Sequence, residues 1–406
     1  MESKNISILA HDVCCGCRAC GDVCPKSCIS FHKDSYDGFM YPVVDESLCI
    51  SCGLCQKVCP ELTQAFNPQQ TEVIAAYSKS HETVCNASSG GLFEVLAKRI
   101  LRDGGVVWGA SFDKALQLAH RKATNEDELK ALRKSKYLQS NLSTVYKQIF
   151  SDLKDGIPTL FVGTPCQVNA LRNFVSNNPN KDKLVLIDIV CHGVPSQDLF
   201  DRCMAWFQTK HQCRVVSYEF RAKGKEIVHP HSFRLTYEKN GKNHTMTGVY
   251  YKSPFYYGFQ TYKTLRPSCY SCKWAKGERS SDITLADFWG INTVAPAFNP
   301  DKGVSMVMAN TEKGQERIDA LIAAGSVESK IFPFELAQMN NKCLAHPTKC
   351  PIAARTRLFD KMQTEPFDSV VMTELTSKHR RIFDIYYGLP VWLQQMIRRL
   401  IDKIRN

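Results

Sequence analysis

The sequence predicts a small α+β head, a larger α/β domain built on a mixed sheet, and a helical tail. Three observations predict it. Two cysteine runs of identical spacing occupy the first 60 residues. From residue 71 onward, short β-branched runs alternate with amphipathic helical stretches. Beyond residue 348 the cysteine motifs end, and towards the C-terminus apolar residues recur at helical spacing.

Composition narrows the class. With 44% hydrophobic and 23% charged residues, the 406-residue chain has a globular balance and length enough for two or three domains. Its longest apolar runs, such as 184–187, fall far short of the roughly 18 residues of a membrane-spanning helix. Residues 1–10 lack the apolar core and cleavage pattern of a secretory signal. Nineteen cysteines, an odd number in a long chain, argue against a secreted disulfide framework and for reduced, metal-binding thiols in a cytoplasmic protein. The net charge of +12 is spread along the chain and shrinks wherever thiolates bind metal, so no nucleic-acid partner is expected.

The head comes first. Residues 14–25 read CCGCRACGDVCP and residues 49–60 read CISCGLCQKVCP. Cys14, Cys17, Cys20 and Cys24 follow C-x2-C-x2-C-x3-C-P, and Cys49, Cys52, Cys55 and Cys59 repeat it 35 residues later. This is the ligand spacing of two-cluster ferredoxins. Three thiolates at x2 intervals wrap one face of a cubane, while the fourth, a helical turn later, faces away and serves the other cluster. Cys14, Cys17, Cys20 and Cys59 are therefore assigned to one 4Fe-4S cluster, and Cys49, Cys52, Cys55 and Cys24 to the second. Zinc sites use paired CxxC elements separated by longer loops, not two four-cysteine runs. Cys15 and Cys28 fall outside the pattern and read as small packing residues. Asp37-Gly38, flanked by Ile29, Phe31, Phe39 and Tyr41, predicts a short hairpin between the runs. Asn67-Pro68-Gln69-Gln70 predicts a polar break and linker.

The large domain follows in order. Strands are predicted at 73–77, 106–110, 159–162 and 184–190, the last apolar except for Asp188, and at 283–286 and 304–309. Helices are predicted at 88–101, 125–134, 144–153, 165–174, 196–209 and 312–324. Strands at 215–220, 232–237 and 244–249 are joined in part by an Asn240-Gly241 hairpin turn.

Two strand ends carry chemistry. Residues 161–167 read FVGTPCQ and residues 189–196 read IVCHGVPS, so Cys166 and Cys191 each stand between an apolar strand and a helix. Ligands of open α/β sheets bind beyond the carboxyl ends of strands. Cys269 and Cys272 form a CxxC after Arg266-Pro267. Together these four thiols suit a third iron–sulfur cluster; a zinc site and no metal at all remain alternatives at this point. Cys85, Cys203, Cys213, Cys343 and Cys350 read as incidental. Residues 87–92 read ASSGGL, a small-residue entry into a helix whose amides suit a phosphate or pyrophosphate, although glycines there also serve as plain caps. Residues 136–140 read KYLQS. No residue has an identifiable proton-transfer role, so the catalytic residue is unassigned; His192 and Asp287 are candidates only because they adjoin the rim.

The motifs ASSGG at 87–91, KYLQS at 136–140, GTPCQ at 163–167, CHGVPS at 191–196, CYSCKW at 269–274 and SDITLADFWG at 281–290, following the cysteine head, resemble the coenzyme F420 hydrogenase and dehydrogenase beta-subunit family. The resemblance implies a two-cluster ferredoxin-like α+β head at 1–68, an α/β mixed-sheet FAD and iron–sulfur flavoprotein domain at 69–345, and a helical tail at 346–406. It implies a third cluster on Cys166, Cys191, Cys269 and Cys272, and FAD near Ser88, Ser89, Gly90, Gly91, Lys136, Gln139, Thr164 and Gln167. The activity it implies is that of an oxidoreductase passing electrons between one-electron carriers and a two-electron substrate, through 4Fe-4S clusters and FAD. Members with a fused ferredoxin head are often encoded with polysaccharide-modifying enzymes. The alternative is a non-catalytic electron-transfer subunit that docks a partner enzyme. A redox partner protein or a small-molecule donor is expected in either case; nothing in the sequence marks a deazaflavin pocket.

In the tail, Val391, Trp392, Leu393, Met396, Ile397, Leu400, Ile401 and Ile404 form a helical stripe, with Arg398, Arg399, Lys403 and Arg405 off it. Packing on the domain or on another protein chain accounts for this pattern, and so does peripheral contact with the inner membrane face.

Overall fold

The computed structural model describes residues 4–63, 65–224, 227, 229–298, 303–390, 393, 394, 396 and 397. Its strands, in chain order, are β1 (Ile29–Lys33), β2 (Met40–Val44), β3 (Glu72–Ser78), β4 (Val106–Phe112), β5 (Leu118–Ala123), β6 (Thr159–Gly163), β7 (Leu184–Ile189), β8 (Arg214–Phe220), β9 (Ser232–Lys239), β10 (Lys242–Val249), β11 (Ile283–Asp287), β12 (Ser305–Ala309) and β13 (Val327–Pro333). The chain forms two compact units, Met1–Leu199 with Leu265–Cys350, and Phe200–Thr264 with Pro351–Asn406. Each is assembled from separated stretches, unlike the chain-order division at residues 68 and 345 that the sequence motifs imply.

In the first unit, β1 and β2 pair antiparallel from Ile29↔Val44 to Lys33↔Met40, as the Asp37-Gly38 turn predicts. Short helices at Ala19–Val23 and Leu54–Val58 follow the two cysteine loops. The sequence duplication is written into the backbone. Gly16 and Ser51 both have positive φ, as do Arg18 and Gly53, each pair 35 residues apart. Both helices end on the fourth cysteine of their run, Cys24 or Cys59, with nearly the same backbone angles.

Eight described strands form one mixed sheet in the order β13-β3-β12-β11-β7-β6-β4-β5. β4, β6, β7 and β11 run parallel at its centre. That placement suits strands such as β6 and β7, whose apolar residues are buried by helices on both faces. One face is covered by helices Leu92–Arg102 and Glu312–Ala323, which contribute Leu96, Ile100, Ile318 and Leu321 to the core. The other is covered by helices Val145–Lys154 and Pro165–Phe174, and this cluster takes in Ala19 and Val58 of the head.

The head is thus packed on the sheet domain rather than tethered to it. Asp22 accepts from the Thr144 and Tyr146 amides at 2.8 and 3.1 Å, capping the Val145–Lys154 helix. The expected linker is anchored too: Asn67 N donates to Arg279 O at 2.7 Å, and its side chain to Ser281 O at 3.1 Å.

Three features depart from the sequence reading. The helix expected from 88 begins at Leu92, because Gly91 caps it in the left-handed region at φ +87°. β5 and β13 were not expected; they are the two edges of the sheet, where LAHRKA and VESKIFP carry charges and a proline that mask the strand pattern.

In the second unit, β8, β9 and β10 form an antiparallel sheet with β9 central. Asn240 and Gly241, both with positive φ, make the turn between β9 and β10. Tyr218, Phe220, Phe233 and Phe255 pack as a ring cluster. Helices Ile352–Thr364, Phe367–Thr373 and Arg380–Gly388 follow. The C-terminal region is therefore helical, as expected. Of the apolar stripe beyond, Val391, Trp392, Leu400, Ile401 and Ile404, with Arg398, Arg399, Lys403 and Arg405, lie outside the described residues.

His120 ties the β5 edge to the sheet. Its Nε2 donates to Val162 O at 2.9 Å, which fixes the tautomer, so Nδ1 accepts from Ser140 Oγ at 2.9 Å. Burial pulls its pKa down to about 4. The folded protein keeps His120 neutral while the unfolded chain protonates it below about 6.5, so stability falls as pH drops from 6.5 towards 4. The stability advantage of wild type over His120→Gln should shrink by roughly 3 kcal/mol between pH 7 and pH 4. Urea unfolding of both proteins at the two pH values checks this, and a pH-independent difference would refute it.

Candidate iron–sulfur centres

The described residues place the head thiols in two sets. Cys24, from the first run, lines one cavity together with Cys49, Cys52 and Cys55 of the second. Cys28 lines the same cavity, with its Sγ 3.3 Å from Cys24 Sγ. Asn5, held by Glu46, reaches Cys49 Sγ at 3.7 Å. Cys52 is exposed.

The other set is Cys14, Cys17, Cys20 and Cys59. Burial, then the charges of Cys14 and Cys59, drive the Cys20 thiol upward. Burial also pushes Cys59 up to about 11, with Cys14 again a neighbour. At Cys17 a hydrogen bond from Cys15 works in the opposite direction, but burial, Cys59 and Cys20 outweigh it and bring the thiol to about 11. Thiols buried this deeply ionise when a cation compensates them.

A third set meets beyond the sheet. Cys166, Cys191, Cys269 and Cys272 line one cavity. Cys166 lies in the first turn of helix Pro165–Phe174, after β6; Cys191 follows β7, the parallel neighbour of β6; Cys269 belongs to the turn Pro267–Ser271. Thr164 and Gln167 close a capping box that fixes the start of the helix, and Thr164 Oγ1 reaches Cys166 Sγ at 3.2 Å. Burial holds all four thiols up, Cys269 at about 12; for Cys166 the hydrogen bond with Cys15 weighs more than burial.

Among the described residues no three His, Cys, Asp or Glu side chains converge on a point as a single ion would require.

Two buried arginines hold this arrangement. Arg279 pairs with Asp188 at 3.1 Å, both fully buried, and donates to Ile189 O at 2.9 Å and Trp274 O at 3.0 Å. It thereby binds the CxxC loop to the end of β7, which leads to Cys191. Arg266 donates to Cys14 O at 2.6 Å, Met40 O at 3.0 Å and Gln139 Oε1 at 2.9 Å, joining the same loop to the head. Cys15 and Glu61, flanking head ligands, line the inner cavity. Neither arginine, nor Cys15, nor Glu61 stood out in the sequence. The doubled cysteine at 14–15 was the one available signal.

The flavin candidates separate into two groups. Gln139, Thr164 and Gln167 line the inner thiol cavity. Ser88 accepts from Ser135 N at 2.8 Å, and Ser89 donates to Val304 O at 2.8 Å. The Gly90 amide, expected to be free for an anion, donates to Ser305 Oγ at 3.0 Å. A Cβ at Gly90 would sit 2.4 Å from Ala76 O, so close packing on β3 accounts for this glycine. Lys136 donates to Ala131 O and Arg133 O, and burial lowers its pKa to about 7. His192 turns to Cys343 Sγ at 3.4 Å, and Asp287 is a charged neighbour.

Residues 158–333 match the family model for the C terminus of the coenzyme F420 hydrogenase/dehydrogenase beta subunit, and residues 13–62 match the 4Fe-4S dicluster domain. Among solved structures, a chain of the F420-reducing [NiFe] hydrogenase complex from Methanosarcina barkeri is similar at 18% identity and a TM-score of 0.46, covering 73% of this chain and 95% of that one. No curated protein matches.

Removing one partner of a buried ion pair leaves an uncompensated charge, at a cost of about 3–5 kcal/mol. Arg279→Met should therefore destabilise the protein by that amount in chemical denaturation, and Arg279→Met with Asp188→Leu should recover most of it. Equal losses in the single and double variants would refute the pairing.

Proposed function

We infer, from the match of residues 158–333 to the model for the C terminus of the coenzyme F420 hydrogenase/dehydrogenase beta subunit, that this chain belongs to that family and is an iron–sulfur oxidoreductase passing electrons between a one-electron carrier and a two-electron substrate. The observation that carries the reading is the meeting of four thiols from three separated segments around one cavity, beside a head with two further sets of four. 4Fe-4S clusters supply single-electron transfer, and FAD supplies the change between one-electron and two-electron chemistry. The chain contributes ligands, burial and order. Exposed Cys52 marks the end of the head open to a redox partner, and Cys15 and Glu61 mark the end that meets the inner thiols.

In this reading Cys14, Cys17, Cys20 and Cys59 hold one cluster, Cys24, Cys49, Cys52 and Cys55 the second, and Cys166, Cys191, Cys269 and Cys272 the third. FAD belongs near Ser88, Ser89, Gly91 and Lys136, with its reactive part towards Gln139, Thr164 and Gln167. The turn into the 11-residue helix Leu92–Arg102 supports this, since a helix N-terminus favours an anion. The Gly90 amide takes no part, being engaged by Ser305. That engagement favours a second reading, in which the chain is an electron-transfer subunit without flavin, docked to a partner enzyme. A link to polysaccharide biosynthesis rests on the family resemblance alone.

No helix among the described residues is long and apolar enough to cross a membrane. A cytoplasmic place with peripheral contact through the tail accords with Ile382 and Ile385, which are exposed on the Arg380–Gly388 helix beside Arg380 and Arg381.

Anaerobic preparation with iron, sulfide and flavin analysis tests the reading. About twelve irons per chain are expected, four for each cubane. Cys272→Ser should lower the count to about eight, again at four per cubane. About eight irons in the loaded wild type would remove the inner cluster, about twelve in Cys272→Ser would remove Cys272 from its ligands, and a loaded protein without flavin would establish the second reading. Cys24→Ser should alter the spectroscopic signature of the cluster on Cys49, Cys52 and Cys55. Damage confined to the cluster of Cys14, Cys17 and Cys20 would overturn the crossed assignment.

A further inference from the structure

One buried donor on the wall of the inner cavity has no acceptor in the protein. Trp274 follows the CxxC of Cys269 and Cys272 and lines the cavity of the four thiols. The residue is 3% exposed, and its indole Nε1 is buried without a hydrogen-bond partner among the described residues. Polar side chains elsewhere on the same wall are engaged. Gln167 accepts from Thr164 N at 2.9 Å and donates to Ser140 Oγ at 3.2 Å. Gln139 accepts from Arg266 and donates to Cys15 O, and Thr348 donates to His192 O at 2.7 Å. Glu61 would be a ready acceptor for the indole, but its carboxylate is held by Lys273 at 3.2 Å.

Two other tryptophans supply an internal control. Trp108 Nε1 donates to Asp152 at 3.1 Å, and Trp206 Nε1 donates to Asp368 at 2.7 Å. In both cases the indole N–H is met by an anion. Trp274 is fixed from several sides without such a partner. Its carbonyl accepts from Arg279 Nη1 and Lys276 N, both at 3.0 Å. Its ring packs on Phe66 at 5.0 Å between centroids, and Lys273 Nζ lies over the ring at 5.7 Å. An indole N–H only donates, and folded proteins leave few buried donors unmet. A donor fixed on the wall of a cavity of four thiols is suited to an electron-rich atom held inside that cavity.

We propose that the indole N–H of Trp274 donates a hydrogen bond to a sulfur of the inner centre, either a coordinating thiolate or a sulfide of the cluster, and so tunes its potential. This rests on the reading of Cys166, Cys191, Cys269 and Cys272 as a cluster site. A cubane on thiolate ligands presents sulfur acceptors, and hydrogen bonds to those sulfurs are among the factors that set its potential. Such a bond favours the more negative, reduced state and raises the potential. No proton leaves the indole, and no electron needs to pass through it. Trp274 is a donor to the centre, not one of its ligands.

The test uses the full chain, purified anaerobically from cells supplied with tryptophan isotopically labelled at the indole nitrogen. The inner centre is identified as the reduced-state signal altered by Cys166→Ser or Cys272→Ser. Pulsed electron paramagnetic resonance of that signal should show coupling to the labelled nitrogen. Trp274→Phe keeps an aromatic ring against Phe66 and removes the donor. It should keep the full iron content, lose the coupling and lower the inner centre's midpoint potential in a dithionite titration, by about 59 mV for a tenfold change in a one-electron equilibrium. Trp206→Phe should leave coupling and potential as they are. Should Trp274→Phe not load, the labelled wild type still decides, because Trp274 is the one tryptophan lining the cavity among the described residues. A wild type with about twelve irons and no coupling would overturn the contact alone. So would coupling or potential unchanged in Trp274→Phe at full iron content. About eight irons in the loaded wild type would remove the inner cluster, and this contact with it.

Discussion

The site arrangement depends on a positive charge buried without a carboxylate among its hydrogen-bond acceptors. Arg266 is fully buried, and its guanidinium donates to two backbone carbonyls and the side-chain oxygen of Gln139. It lies over the rings of Tyr41 and Phe39, at 4.3 and 5.0 Å. Burying an unpaired charge costs several kcal/mol unless something compensates it. Carbonyl and amide oxygens supply part of that compensation, and Arg266 in turn opposes the rise that burial imposes on the Cys269 thiol. One side chain therefore belongs to the head, to the CxxC loop that follows it and, through Gln139, to the KYLQS segment. The head and the CxxC loop are held in register by this one buried side chain.

Arg279 performs a similar task with a different balance. Its charge is answered by Asp188, which also accepts from Thr284 Oγ1 at 2.6 Å. Burial raises the Asp188 pKa, while Arg279 and then Thr284 oppose the rise. Asp188 is the one interruption in the apolar run of β7. The interruption is the anchor that brings the CxxC loop to the strand end carrying Cys191.

What was legible in the sequence was what is local or repeated. The two cysteine runs were legible because ligand loops are short and their geometry is set within a dozen residues. The central strands were legible because burial on both faces leaves few polar residues. The edges β5 and β13 were not, since charged residues and a proline are what an edge tolerates. Arg266 and Arg279 could not be found at all, because a lone arginine becomes significant only when distant segments close over it. Gly90 was misread for the same reason: its amide and its missing side chain are accounted for by Ser305 and Ala76, both far away in the chain.

The two halves of the head show how a duplicated unit acquires direction. Their backbones retain the same left-handed positions and the same helix ends, so the scaffold is symmetric. The difference lies in the residues beside the ligands. The half that opens outward has Ile50 and Lys26 lining its cavity, with Cys52 exposed. The half that faces the sheet domain has Cys15 and Glu61, which line the inner cavity, and Glu61 meets Lys273 of the CxxC segment at 3.2 Å. An apolar and basic rim suits transient contact with a partner, whereas a thiol and a paired carboxylate suit permanent contact within the chain. Polarity between an outer and an inner end thus requires no change of fold, only a change at the two positions where each half meets its surroundings.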